Sequence, residues 1–198
     1  MIAIIDYGMG NLRSVQKGFE KVGFDARIVT AKTDIEAAAG VVLPGVGAFS
    51  AAMKNLEEAG IVETIIDQIK AGKPFLGICL GLQMLFSYSE EGTVRTPGLD
   101  LFPGAVVRFT GDMKVPHMGW NQLLFRNRGE AADGIPDGSF FYFVHSFYVV
   151  PEDPTITMTM TNYGYDFVSS ITKDNITAVQ FHPEKSQRMG LKLLENFG

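Results

Sequence analysis

The sequence predicts an α/β fold in three layers, with a central, largely parallel sheet and an additional, mostly antiparallel β portion in the C-terminal half. Two observations carry this. Short continuous apolar runs of buried-strand length alternate with helical-period segments through the first half. After about residue 100 the texture changes to short β-rich stretches separated by Gly, Pro, Asp and Asn. No repeat, low-complexity tract or linker suggests a boundary, so residues 1–198 are read as one domain.

In order, Ile2–Ile5 is a core strand ended by the glycine-containing stretch Asp6-Tyr-Gly-Met-Gly-Asn11. Leu12, Val15, Phe19 and Val22 then fall at helical spacing, with Gly23 as the stop signal. Ala26–Val29 and Val41–Leu43 read as further strands, the latter followed by Pro44-Gly-Val-Gly-Ala-Phe49. Met53, Leu56, Ile61, Ile65, Ile66 and Ile69 supply helical apolar positions before Gly72-Lys-Pro74 leads into the strand Phe75–Ile78. Leu80, Leu82, Met84, Leu85 and Phe86 read as the apolar side of the next helix. In the second half, strands are expected at Ala105–Phe109, Ser139–Val144, Phe147–Val150, Thr155–Thr161, Phe167–Thr172 and Thr177–Phe181. Thr155–Thr161 alternates polar and apolar residues, as a strand with one wet face should. A closing helix holds Met189, Leu193, Leu194 and Phe197.

The chain has 46% hydrophobic and 20% charged residues, which is globular, and 198 residues are enough for a core that needs no disulfide or metal. A net charge of -5 without a Lys/Arg cluster argues against a nucleic-acid partner. The first apolar run meets Asp6 after five residues, too short for a signal peptide or a membrane span. One cysteine cannot form an internal disulfide, which suits a reducing, cytoplasmic setting.

That cysteine, Cys79, sits where a strand meets a helix. Gly77 and Gly81 flank it in a G-x-C-x-G pattern, the thiol counterpart of the G-x-S-x-G elbow that holds a nucleophile above a sheet. It also faces the first turn of a helix, whose free N–H groups favour a thiolate. The alternative is a buried structural cysteine acting as a small apolar side chain. Of His117, His145 and His182, only the last has a telling context, at the end of a strand and within His182-Pro-Glu184. Residues two apart on extended chain share a side, so Glu184 would lie beside His182 and orient it. Read alone, His-Pro-Glu is also a surface turn. Pro44-Gly45-Val46-Gly47 exposes main-chain N–H groups, and the Val46–Gly47 region with the Leu80 N–H would form an oxyanion hole, or else an ordinary turn after a strand. The histidines and the cysteine are too dispersed for a zinc site, and no P-loop is present, so neither a metal nor an organic cofactor is expected.

Asp6-Tyr-Gly-Met-Gly-Asn11, Pro44-Gly-Val-Gly-Ala-Phe49, Gly77-Ile-Cys-Leu-Gly-Leu-Gln83, His117-Met-Gly-Trp-Asn121 and His182-Pro-Glu-Lys-Ser186 together resemble the class I glutamine amidotransferases, and among them the glutaminase subunits of imidazole glycerol phosphate synthase. The likeness runs almost end to end and implies a flavodoxin-like sheet. It makes Cys79 the nucleophile, His182 the general acid/base and Glu184 its partner. It implies Val46, Gly47 and Leu80 around the oxyanion, and Gln83, Glu91, His145, Ser146 and Phe147 around glutamine. The family more often has tyrosine where this chain has Phe147. The resemblance further implies a heterodimer with a (β/α)8-barrel cyclase that receives channelled ammonia in histidine biosynthesis. Asn11, Trp120, Asn121 and Lys185 match positions near that junction. By default, a single Trp packs inside its own domain and Lys185 is a solvated lysine.

Rival readings are an amidotransferase that serves another synthase, a γ-glutamyl hydrolase that works alone, and a non-catalytic binding domain with the same fold.

Overall fold

A computed structural model of the chain describes residues 1–198. The apolar runs form the parallel half of a 12-stranded sheet, ordered Ala26–Val29, Ile2–Ile5, Gly40–Gly45, Phe75–Cys79, Ile176–Val179. Alternate residues of these strands face opposite layers, because side chains reverse direction at each step along extended chain. Ala3, Ile5, Val41 and Leu43 join one core with Ile35, Leu56 and Ile65 from the helices Lys32–Ala37, Phe49–Glu58 and Val62–Lys70. Ile2, Ile4, Val42, Leu76 and Ile78 join the other, against Val15 and Phe19 of helix Leu12–Lys21 and Leu193 and Leu194 of helix Gln187–Phe197. Both faces of the parallel strands are covered, which is why they read as unbroken apolar runs.

The antiparallel portion continues the same sheet. Ile176–Val179 is parallel to the Cys79 strand and antiparallel to Tyr165–Lys173, which pairs in turn with Phe147–Pro151 and Thr157–Tyr163. Phe102–Arg108 and Phe86–Ser89 follow toward the far edge. Strands His117–Gln122 and Phe140–His145 form a separate antiparallel pair.

Two expectations change, and two stretches gain detail beyond the sequence reading. The helix after Cys79 is a single turn, Leu80–Gln83, and Phe86 begins a strand. Residues 80–86 are buried all round, so apolar spacing cannot separate helix from strand there. The carbonyls of Met84 and Leu85 accept N–H groups from Leu99 and Leu101 rather than from a further helical turn. The apolar positions from Met53 to Ile69 belong to two helices, split at Gly60. Residues 32–37, where no element was expected, form a helix. Finally, Thr157–Tyr163 has no wet face at its centre: Thr159 and Thr161 are buried, with hydroxyls bonded to Ser169 at 2.8 Å each. Hydroxyls that satisfy one another across two strands can be buried, so polar alternation does not prove a solvated face.

Candidate active site

Cys79 ends its strand with φ +56°, a left-handed conformation that a side-chain-bearing residue adopts only when its surroundings impose it. The flanking glycines allow the turn. A Cβ on Gly81 would lie 1.9 Å from the Leu43 carbonyl oxygen, and one on Gly77 would lie 2.9 Å from the Gly81 carbonyl group. The elbow therefore closes against the neighbouring strand with no room for a methyl group on either side. With only one helical turn behind it, Cys79 meets little of the dipole that a longer helix would supply.

His182 follows the adjacent parallel strand, and its Nδ1 lies 2.9 Å from Glu184 Oε1. The two side chains are 2% and 1% exposed, so this is an enclosed pair. The route differs from the one expected. Glu184 is on a 3-10 turn, Pro183–Lys185, rather than on extended chain, and that turn folds the carboxylate back under the ring. Burial alone would lower the pKa of His182, but the Cys79 sulfur and the Glu184 carboxylate outweigh it and raise it to about 10. Its Nε2 has no hydrogen-bond partner within the chain and faces the same cavity as the sulfur.

That cavity holds about 330 Å3, within the range of small-molecule sites. Cys79, Leu80 and His182 line it together with Val46 and Gly47, whose N–H groups donate to nothing in the protein. Gly47 has φ +94°, and a Cβ there would strike the Met9 methyl at 2.7 Å. Tyr7 steadies this loop by donating its hydroxyl to the Pro44 carbonyl at 3.0 Å; burial and then the charge at Cys79 raise its pKa and keep it protonated.

Gln83, Glu91, His145, Ser146 and Phe147 complete the wall together with Pro116 and Val144, neither of them an expected site residue. Several have atoms already committed. Gln83 Nε2 donates to the Phe147 carbonyl and to Gln180 Oε1, both at 3.0 Å, which leaves its own oxygen for a ligand. One Glu91 oxygen accepts the Phe49 N–H at 2.7 Å. His145 has no free ring nitrogen: Nδ1 is 2.8 Å from the Phe147 carbonyl and Nε2 is 2.8 Å from His117 Nδ1. Burial lowers the pKa of His117 to about 4. Burial, with the charges of His117 and His182, lowers that of His145 to about 3 against the opposing Phe147 carbonyl. Both rings are neutral at pH 7.

The four remaining positions lie outside the cavity. Trp120 is 46% exposed, beside exposed Met118 and Phe140, so the default of an internally packed Trp does not hold. Lys185 is exposed and Asn11 begins the first helix. Asn121 Nδ2 is spent on His117 Nε2 and the Asn162 carbonyl. Sequence reasoning missed Gln180, which is fully buried with Nε2 3.6 Å from Cys79 Sγ. The signal was there: an amide inside an otherwise apolar strand end must find partners.

A cysteine elbow facing an enclosed imidazole–carboxylate pair at the carboxyl end of a parallel sheet is the constellation of a thiol-dependent α/β enzyme. Residues 3–198 match the family model "Glutamine amidotransferase class-I", and the chain belongs to that family, on the side of it occupied by the subunits called HisH. It is 53% identical to the imidazole glycerol phosphate synthase subunit HisH of Syntrophotalea carbinolica, over 100% of this chain and 99% of that one. It is 56% identical to the HisH subunit of Aquifex aeolicus, over 98% and 94%. Among solved structures, PurLQS from Thermotoga maritima superposes with a TM-score of 0.76 at 18% identity, over 99% of this chain and 96% of that one. The crystal structure of a glutamine amidotransferase gives 0.73 at 19%, over 100% of each chain. At such identities the structures speak for the fold alone.

Proposed function

We propose that this chain hydrolyses glutamine to glutamate and ammonia, and passes the ammonia to a cyclase subunit that makes imidazole glycerol phosphate and AICAR in histidine biosynthesis. The observation that carries the chemistry is the unpartnered Nε2 of a raised-pKa His182 in the cavity that Cys79 lines. Residues 1–198 act as one amidotransferase domain in this reading.

The Cys79 thiolate attacks the side-chain amide carbon, forming a C–S bond and a tetrahedral oxyanion. The N–H groups of Val46, Gly47 and Leu80 receive that charge. His182, an imidazolium at neutral pH, gives its Nε2 proton to the amide nitrogen, the C–N bond breaks, and ammonia leaves a γ-glutamyl thioester. The neutral ring then takes a proton from water as the water attacks the thioester. Collapse of the second adduct expels the thiolate, releases glutamate and restores the thiolate–imidazolium pair. Glu184 holds Nδ1 so that Nε2 is the nitrogen that exchanges the proton. The Gln83 oxygen and the free oxygen of Glu91 are acceptors suited to the α-ammonium of glutamine.

Ammonia is useful only if it meets an acceptor before water protonates it, so the partner is read as a (β/α)8-barrel cyclase in a heterodimer. The exposed trio Met118, Trp120 and Phe140 supports a docking face, with Lys185 and Asn11 as further candidates. No helix is long and apolar enough to cross a membrane, and the single unpaired thiol suits a reducing cytoplasm.

Glutamate release by wild type and Cys79→Ala, each with and without the cyclase and its nucleotide ligand, tests this. The expected result is turnover by wild type that rises with the liganded cyclase and is absent in Cys79→Ala. Full activity in Cys79→Ala would end the covalent mechanism, and no response to the cyclase would end the assignment to this synthase.

A further inference from the structure

Gln180 takes no part in the steps above. It follows the strand Ile176–Val179, whose Val179 lies opposite Ile78, so it emerges beside Cys79 on the neighbouring strand. It is 0% exposed and does not line the cavity. A buried amide of this kind is costly unless both of its ends are bonded.

The orientation of this amide follows from its neighbours. The Phe147 carbonyl oxygen can only accept, so the Gln83 atom 3.0 Å from it is the nitrogen. The same nitrogen lies 3.0 Å from the Gln180 amide, which must therefore present its oxygen there. The Gln180 NH2 group is left facing Cys79 Sγ at 3.6 Å. The histidine pair agrees with this polarity. His145 Nδ1–H donates to the same Phe147 oxygen, so His145 Nε2 accepts from His117 Nδ1–H, and His117 Nε2 accepts from Asn121. Turning over the Gln180 amide would set oxygen against sulfur and nitrogen against nitrogen.

We propose that Gln180 is a positioning residue for the nucleophile: its side-chain amide, held by Gln83, which the Phe147 carbonyl fixes in turn, donates an N–H to the Cys79 thiolate. This amide differs in kind from His182, which lines the same cavity with no partner for its Nε2. His182 must give its proton away during turnover, whereas the Gln180 amide keeps its own and stabilises the thiolate each time it is expelled from the thioester. A hydrogen bond to an ionised acceptor is stronger than one to a neutral acceptor, so the amide favours the charged sulfur.

The proposal rests on Cys79 being the nucleophile, and alkylation of the full-length chain by iodoacetamide separates the two ideas. In Gln180→Met, which keeps the length of the side chain but removes both the donor to the sulfur and the acceptor for Gln83, alkylation at pH 7, which needs no glutamine site, should slow about tenfold or more. The kcat for glutamine should fall in parallel, while KM also rises because Gln83 loses its bond to the Gln180 oxygen. A cooperative melt confirms that the variant is folded. Alkylation of folded Gln180→Met within about twofold of wild type would overturn the role of Gln180 while leaving the nucleophile reading intact. An inert Cys79 in wild type would overturn both. If Gln180→Met does not fold, the side-chain amide resonances of Gln180 are compared between wild type and Cys79→Ala. A clear shift supports the contact, and unchanged resonances refute it.

Discussion

Cys79 reaches the cavity on a strand with parallel neighbours on both sides, whereas His145, Ser146 and Phe147 reach it from the antiparallel half. In the parallel half, backbone geometry sets the position: a left-handed cysteine, glycines with no space for a Cβ, and strand ends that share one edge of the sheet. In the other half, side-chain packing sets it. Phe109, Phe143 and Phe167 surround the His117–His145 pair with ring centroids 4.8–6.3 Å apart, and Phe143 also meets Phe181 at 5.7 Å. The first kind of placement fails when one methyl is added, the second when one ring is removed.

The largest effects should come where the two halves meet. Cys79→Ala should lower glutamine hydrolysis at least about 10⁴-fold, and His182→Ala about 10³-fold, with both variants folded by circular dichroism. Comparable activity in either variant would dissolve the pairing of Cys79 with His182. Phe143→Ala, which removes a fully buried ring, should lower unfolding free energy by about 4 kcal/mol in urea. Gly81→Ala places a methyl against the Leu43 carbonyl and should cost about 3 kcal/mol; a tolerated alanine would show that the backbone at the elbow can relax.

Smaller for each group, and different in sign, are the effects of pH. His117 and His145 are held near 4 and 3, below the ordinary value of 6.5, so the unfolded chain binds protons that the folded chain refuses. Stability should be unaffected by them above pH 6.5 and decline as pH falls toward 3, by about 2 kcal/mol for each ring at pH 5. His182 is shifted the other way, to about 10, so its contribution is complete below pH 6.5 and is lost as pH rises through 10. Urea midpoints across this range measure both. Smallest of all, Trp120→Ala should change the stability of the isolated chain by less than about 0.5 kcal/mol, while weakening binding to the proposed cyclase by about 2 kcal/mol.

The same contrast explains what was legible in the sequence. Ile2–Ile5, Val41–Leu43 and Phe75–Ile78 announced their strands because both faces are buried, and the glycines around Cys79 announced the elbow because no other residue fits. The cavity wall from the second half was legible only through family likeness, since nothing local marks His145 or Phe147 as facing Cys79. His117–Gln122 was not read as a strand because Gly119 and Asn121 are poor strand formers, and its pairing with Phe140–His145 decides the matter. The burial of Thr159 and Thr161, and the clamp on Gln180, depend on partners many residues away. Periodicity cannot register such contacts.

The central claim is that sulfur and imidazole, delivered by adjacent strands, form one reactive pair in a glutamine-sized cavity. A glutamine analogue bearing an electrophilic ketone in place of the amide tests it directly, with peptide mass spectrometry to locate the adduct. One label per chain on Cys79, blocked by excess glutamine and strongly slowed in His182→Ala, is the predicted result. Labelling that ignores glutamine, or that proceeds equally fast without His182, would contradict it.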